Sequence, residues 1–140
     1  MWRSSRQFLG PPLFSVYVND LPEVPRHCST EFYVHDSKLF VSFNLYDSQR
    51  IVQEMNEDLL QVRNWCFGNR LLLNPDKTKI IVFGSRQITS KFHEFHLSLL
   101  GKDISAVQSA RDLGVILDPN LTFDNHLTTS VSVCIARSAN

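Results

Sequence analysis

Apolar residues recur along this chain in two patterns, one typical of helices and one typical of strands. The clearest helical pattern starts after Asp47, a residue suited to cap a helix, and stops at Gly68 and Asn69, residues at which helices commonly end. Within it, apolar side chains return every three or four positions, at Ile51, Met55, Leu59, Val62 and Cys66. This stretch predicts a long helix with one apolar face.

Shorter helices are predicted nearer both ends of the chain. Residues 13–21 follow Pro11 and Pro12, which suit a first helical turn, and Pro22 is expected to end that helix. Beyond a predicted turn, Asp124 is placed to cap a last helix whose apolar positions are Leu127, Val131, Cys134 and Ile135.

Runs of aromatic and β-branched residues predict strands. Residues 32–43 predict a hairpin with a polar tip, and the tip residues are His35, Asp36, Ser37 and Lys38. A second hairpin is predicted from residues 95–100 and 104–107, and single strands from residues 78–83 and 113–117. Hairpins with helices packed on one face predict an α+β fold.

Composition and charge narrow the classes of protein that fit. The chain has 140 residues and is 43% hydrophobic, which allows a modest core and is unlike a disordered protein. Its 14 basic and 14 acidic residues give zero net charge, so no basic surplus points to a free-standing nucleic-acid binder. No apolar run approaches the roughly 18 residues of a membrane span, so no membrane partner is expected.

Cysteine usage favours a reducing compartment. The cysteines are odd in number and far apart, and they are Cys28, Cys66 and Cys134. A disulfide framework is therefore not expected, and buried small side chains are. The apolar stretch after Arg3 and Arg6 imitates a targeting peptide, but a glycine and two prolines interrupt it. We expect an intracellular protein without a targeting signal.

Four motifs, in order along the chain, carry a resemblance to a known family. They are LGPPLFSVYVNDLP (residues 9–22), FYVHDSKLF (32–40), WCFGNRLLLNPDKTKIIVFG (65–84) and LGVILDPNLTFDNHL (113–127). The first is similar to the LGPLLFLLYINDLP segment of non-LTR retrotransposon reverse transcriptases of the LINE-like, jockey type, and the second lies where that family has its catalytic hairpin. The third is similar to the family's motif D, and the fourth to its segment leading into the thumb.

The resemblance implies a fold, an activity and a set of partners. In the family's right-handed fold, residues 1–110 correspond to the later part of the palm, and residues 111–140 to the palm-to-thumb connection and a truncated thumb helix. The implied ancestral activity is RNA-directed DNA polymerisation. Its partners are an RNA template, a DNA primer and deoxynucleoside triphosphates, and its cofactor is Mg²⁺.

The chemistry that this family performs needs carboxylates that this chain lacks. Nucleotidyl transfer by two metal ions requires oxygen ligands that hold the cations about 4 Å apart. The family takes these ligands from an early palm aspartate and from paired aspartates at the hairpin tip. Here the pair reads His35 and Asp36, and no acidic residue precedes Asp20. Asp36 is left as the matching metal ligand, and productive Mg²⁺ binding is not expected.

Two further family positions bear on activity. The proline, glutamine, glycine and serine that shape the family's nucleotide pocket are replaced here by Ser4, Ser5, Arg6 and Gln7. Lys77 matches the motif D lysine to which proton donation to pyrophosphate is assigned in the family. Without a metal site, that lysine has no reaction to assist.

Each candidate residue also has a simpler interpretation. Asp36 suits an ordinary hairpin turn, and Lys77 suits a solvated loop. His27, Cys28 and His35 suggest a zinc site, but their spacing matches no common module and a fourth ligand is missing. Cys28 and His35 as nucleophile and base lack a third group.

Three functional hypotheses follow. The leading one is a catalytically inactive segment of a reverse transcriptase. The alternatives are a piece of a longer, active polymerase that tolerates His35, and a non-catalytic fragment that binds nucleic acid or a protein. Because a palm normally rests against fingers and thumb, we expect this fragment to expose apolar surface and to be marginally stable or to self-associate.

Overall fold

The computed structural model describes residues 5–33, 36–92 and 95–124. The chain divides into two compact units, residues 1–74 and 75–140. Antiparallel hairpins combine with helices, as an α+β protein requires. The division into two compact units does not test the predicted boundary between palm and thumb at residue 110. That boundary stays a prediction.

The first unit holds the two longer helices and one hairpin. Its helices and strands are α1 (Ser5–Tyr17), β1 (Ser29–Tyr33), β2 (Asp36–Phe40) and α2 (Ser48–Gly68). Short 3₁₀ turns at Leu21–Glu23 and Leu45–Asp47 lie between them. The second unit contains the short helix α3 (Arg86–Thr89), a 3₁₀ turn at Ser90–Phe92 and two hairpins, whose strands are β3 (His96–Leu99), β4 (Lys102–Ser105), β5 (Ala110–Asp112) and β6 (Val115–Leu117).

Helix α2 confirms the clearest sequence prediction. It begins one residue after Asp47, which occupies the capping position, and it is followed by Asn69. The Asp47 side chain makes no capping hydrogen bond. One carboxylate oxygen of Asp47 instead lies 3.5 Å from Arg50 Nη2. The predicted position of the helix start was therefore right, and the predicted capping interaction was wrong.

The core of the first unit lies where α2 meets the segment after α1. Four buried side chains form its centre, and they are Val18, Leu21, Val62 and Cys66. Partly buried residues pack around them, namely Phe14, Val24, Phe32, Leu39, Trp65, Leu71 and Leu73. Both strands of the hairpin and both helices thus contribute to one apolar cluster, which stabilises the unit through burial of apolar surface.

Helix α1 differs from the prediction at both ends. It begins at Ser5, well before the prolines, and ends at Tyr17. Pro11 and Pro12 lie inside it, where their missing N–H groups leave two helical carbonyls without the usual partner. Their fixed φ near −65° is itself a helical value, so the backbone continues through them. Helix was also predicted for residues 18–21. Residues 18–20 instead form a turn, and Leu21 begins a 3₁₀ segment.

In the second unit, buried apolar residues alternate along β3. Leu97 and Leu99 are each 3% exposed, and Leu97 lies opposite Ile104 of β4. Phe92 and Phe95 meet edge to face with ring centres 6.2 Å apart. The hairpin predicted from residues 95–107 is confirmed.

Other strand predictions for this unit were only partly right. Residues 113–117 contain β6, but β6 pairs with β5, a strand that the sequence pattern did not indicate. Residues 78–83 form no strand, and a single parallel bridge joins Ile80 to Ala106. The helix predicted after Asp124, with the thumb helix that it represents, lies outside the described residues.

Both hairpins of the second unit turn on a leucine followed by a glycine. Leu100 and Gly101 have φ of 53° and 74°, and Leu113 and Gly114 have φ of 46° and 87°. Two-residue hairpin loops of this kind require positive φ at both positions, because that twist matches the twist of the strands. Glycine accepts such a backbone without strain, whereas leucine does not.

Candidate functional site

The hairpin of β1 and β2 carries the predicted catalytic carboxylate. Its strands pair antiparallel from Ser29 opposite Phe40 to Tyr33 opposite Asp36. Asp36 is therefore the first residue of β2. The predicted polar tip was wrong in this respect, because residues 36–38 belong to the strand and pair with β1. Tip residue His35 lies outside the described residues.

Strand alternation fixes the face on which Asp36 lies. Leu39 packs against the core cluster, so Asp36, Lys38 and Phe40 point to the opposite face of the hairpin. Asp36 is exposed on that face. Directly opposite Lys38 in the register is Glu31, whose carboxylate lies 3.4 Å from the Lys38 ammonium.

A two-magnesium centre needs several carboxylate oxygens, which hold the two cations close together. Within residues 5–33, 36–92 and 95–124, no three histidine, cysteine, aspartate or glutamate side chains are grouped so as to hold a metal ion. Asp36 brings one carboxylate, and the residue before it in sequence is a histidine, a poor ligand for magnesium. The described residues do not fit a two-magnesium centre.

Lys77 lies in the second unit, in the turn that follows Pro75, and its side chain is exposed. The carboxylate of its neighbour Asp76 binds another lysine, Lys102 of β4. That contact, through the hydrogen bond and then the charge of Lys102, lowers the pKa of Asp76. The environment of Lys77 matches the interpretation as a solvated loop charge, and its proposed role in proton transfer stays a prediction.

A buried carboxylate that sequence analysis missed binds the loop before β1. Asp58 of α2 is 1% exposed and accepts three hydrogen bonds from consecutive backbone N–H groups. Its Oδ1 lies 2.9 Å from the nitrogen of Arg26, and its Oδ2 lies 2.9 Å from that of His27 and 2.7 Å from that of Cys28. The signal for it was an acidic residue inside the apolar stripe of α2, seven positions after Ile51.

The electrostatics of this contact follow from its geometry. Burial raises the pKa of Asp58, but hydrogen bonds from the Arg26, Cys28 and His27 backbones outweigh burial and lower it overall. The Cys28 thiol also bonds to this carboxylate. Burial first, then the Asp58 hydrogen bond and charge, raises the pKa of Cys28 to about 12.

These contacts argue against the alternative chemistry of this loop. A thiol whose pKa is raised is the reverse of an activated nucleophile. His27 lies with Nε2 3.4 Å from Glu57 Oε2, so its imidazole is engaged by a second acidic residue of α2. Cys28 and Cys66 are both buried and unpaired, as predicted, whereas Cys134 lies outside the described residues.

The first and third sequence motifs meet in the first unit. The Tyr17 hydroxyl donates to the carbonyl of Asn69, and Trp65 Nε1 donates to Asp20 Oδ2 over 3.2 Å. Val18 and Cys66, one from each motif, share the buried core. These contacts join the end of α1 and the segment after it to the end of α2, which gives the motif residues that make them a structural role.

Apolar side chains remain exposed on α1. Leu13, Val16 and Tyr17 follow helical spacing along one side and are 65%, 74% and 49% exposed. Phe14, which lies next to this stripe on the helix, packs against the core cluster. Exposed apolar surface was predicted, and self-association through it stays a prediction. None of the helices in the described residues is both long enough and apolar enough to cross a membrane.

Comparison with known proteins identifies one relevant relative. The chain is 29% identical over 136 residues to a Drosophila melanogaster protein named "Probable RNA-directed DNA polymerase from transposon BS". The match covers 92% of this chain and 15% of that protein, so the chain spans about a seventh of the relative's length. No family model matches the chain. No solved structure matches it either.

Proposed function

We propose that this chain is a segment of a non-LTR retrotransposon reverse transcriptase, covering the later palm and the start of the thumb, and that it is catalytically inactive as encoded. The support for the family is the similarity to a transposon RNA-directed DNA polymerase along 92% of the chain. The four sequence motifs lie in the family's order within that length.

The observation that carries the proposal is the hairpin of β1 and β2. It presents Asp36 on an exposed face at the start of β2, the position expected for the second aspartate of a catalytic pair. The preceding residue is His35, which removes one negative charge and one oxygen ligand. A single carboxylate does not hold the two cations that the reaction needs.

Primer extension on a primed RNA template tests the proposal directly. The purified chain and a His35→Asp variant are assayed with Mg²⁺ or Mn²⁺, with Asp36→Asn in the variant background as the matched control. We expect no incorporation by the unaltered chain. Incorporation by the unaltered chain overturns the proposed inactivity and supports the alternative of an active polymerase. Incorporation by His35→Asp alone, abolished by Asp36→Asn, assigns the inactivity to His35.

A metal-binding readout separates the hairpin from the rest of the active site. Mn²⁺ broadens NMR signals of nuclei near it, so binding is seen without any turnover. We expect broadening around Asp36 to appear in His35→Asp and to be weak in the unaltered chain, because adjacent carboxylates restore the hard oxygen ligands. No difference between the two proteins would remove the proposed role of this hairpin.

One observation favours the second candidate, a piece of a longer active polymerase. The chain corresponds to 15% of the length of its relative, so the parts that complete a polymerase in that protein lie outside the matched region. In that case the RNA template, DNA primer and deoxynucleoside triphosphates are partners of the longer protein. Mg²⁺ would then be held with residues from elsewhere.

A further inference from the structure

One side chain of α2, that of Asp58, holds three consecutive backbone groups of the loop before β1. Asp58 accepts hydrogen bonds from three consecutive N–H groups, at distances of 2.7 to 2.9 Å, using both carboxylate oxygens. These bonds link residues 30 to 32 positions apart in sequence. The link is therefore tertiary and owes nothing to local chain geometry.

This link lies at the root of the hairpin that carries Asp36. Cys28, the last of the three donors, is followed immediately by Ser29, the first residue of β1. From there the ladder runs in one register to Tyr33 opposite Asp36. Fixing Cys28 thus sets where β1 starts, and the register then sets where Asp36 lies.

Other contacts of the hairpin fix its direction less firmly: the exposed hydroxyl of Thr30 donates one uncharged hydrogen bond to the Pro22 carbonyl over 3.2 Å. A two-stranded hairpin alone is marginally stable in water. Phe32 and Leu39 attach it to the core, but both are only partly buried, and apolar contact is non-directional. The Asp58 hydrogen bonds fix distance and orientation together, since each N–H must point at an oxygen.

We propose that Asp58 is the positioning residue of the hairpin, holding residues 26–28 against α2 so that Asp36 is presented at a defined place. The functional meaning of that place rests on the proposed function. That Asp58 holds the hairpin in place follows from the contacts alone. Asp58 acts through the loop and does not itself touch a reacting group.

Asp58→Asn is the discriminating variant. Because Oδ1 and Oδ2 both accept, either orientation of an amide turns its NH₂ group toward at least one backbone donor. Glu57→Gln is the matched control, since it removes the same charge one residue away. Glu57 contacts the His27 side chain at 3.4 Å and none of the three backbone bonds depends on it.

Amide hydrogen exchange measures the effect region by region. In Asp58→Asn we expect exchange in residues 29–33 and 36–40 to rise by about tenfold or more relative to exchange in α2, because the hairpin opens without unfolding the helix. Glu57→Gln should change the hairpin by less than about twofold. Equal acceleration of hairpin and helix, or no acceleration, overturns the proposal.

Asp58→Glu covers the case in which the amide variant does not fold. It keeps the charge and both acceptor oxygens but adds one methylene group. We expect the hairpin of this variant to keep part of the protection from amide exchange that it has in the unaltered chain. Unfolding of both variants overturns the positioning role, because it marks Asp58 as a residue of general stability. Amide exchange needs no metal, so the two proposals can fail separately. If Asp58→Asn loosens the hairpin selectively but His35→Asp does not bind Mn²⁺, the positioning role of Asp58 holds and the proposed function is removed.

Discussion

Two aspartates of this chain hold backbone in similar ways and in opposite settings. Asp58 binds three N–H groups that lie 30 to 32 residues away, and it is 1% exposed. Asp118 binds the N–H groups of Asn120, Thr122 and Phe123, which lie 2 to 5 residues ahead, at 3.0, 3.1 and 2.8 Å. The first carboxylate joins separate elements, whereas the second shapes its own loop.

The same contrast runs through the two units. In the first, β1 and β2 depend on contacts with helices that are distant in sequence. In the second, both hairpins close through two-residue turns, and the Asp118 loop is tied to Gly84 by a 2.8 Å bond from the Asn120 amide. Stability is therefore expected to be lost through tertiary links in the first unit and through turn residues in the second.

Removing the tertiary carboxylate should have the largest effect. Asp58→Ala leaves three backbone donors without an acceptor, and hydrogen bonds to charged groups contribute about 1.5–3 kcal/mol each. We expect the free energy of unfolding of the first unit to fall by about 3 kcal/mol or more. Urea titration followed by Trp65 fluorescence in a Trp2→Phe background measures it. A loss matching that of Glu57→Gln would mean that the charge alone matters.

Acid should weaken the same link in the unaltered chain. The pKa of Asp58 is lowered from its ordinary value of 3.8, so the stability it contributes is complete above that value. As pH falls through the lowered pKa, the carboxylate is protonated and that stability is lost. Urea titrations over falling pH should therefore show a loss for the unaltered chain that is smaller in Asp58→Asn. Parallel curves would assign the acid sensitivity to other groups.

Replacing a glycine in a hairpin turn of the second unit should lower stability through backbone strain. Gly114 has a φ of 87° with open space around it, so an added Cβ meets backbone strain rather than a clash. We expect Gly114→Ala to cost about 1–2 kcal/mol in thermal unfolding of that unit. Gly68→Ala, also in open space but without positive φ, is the control and should cost nothing. Equal effects would mean that φ at the turn is not limiting.

The local aspartate should give the smallest and most confined effect. Asp118→Ala removes the acceptor for the amides of Asn120, Thr122 and Phe123, and these should exchange faster. Amides of β1 and β2 should not change, because every bond that Asp118 accepts lies within its own loop. NMR-detected exchange compares both sets in one sample. Accelerated exchange in the first hairpin would end the distinction between tertiary and local aspartates.

Sequence periodicity was sufficient where packing follows it. Helix α2 and the hairpin of β3 and β4 were predictable because apolar residues alternate at helical or strand spacing and the flanking residues stop each element. Helix α1 was predicted to start after the prolines, since proline usually opens a helix. Its start at Ser5 was missed because proline removes donors without excluding helical φ.

The site was only half predictable for a related reason. Asp36 was predicted as a site residue through its place in a motif, and that role stays a prediction; the hairpin around it was predicted through aromatic and β-branched residues. The place of Asp58 in the apolar stripe of α2 indicates burial but not its partners, and Asp58 was missed because those partners are backbone N–H groups, which have no sequence signature. Strand β5 was missed because Leu113, in a positive-φ turn, was assigned to the strand itself.

The reactivity of the Cys28 thiol reports on the opening of the loop before β1. Burial and the neighbouring Asp58 carboxylate raise the pKa of this thiol to about 12, so at neutral pH it is held in the protonated form, whereas the thiolate is the form that alkylating agents and peroxide attack. While the loop is closed, this sulfur is consequently almost inert. We therefore expect labelling at Cys28 to proceed through molecules in which the loop has left the helix, so that the labelling rate reports this opening.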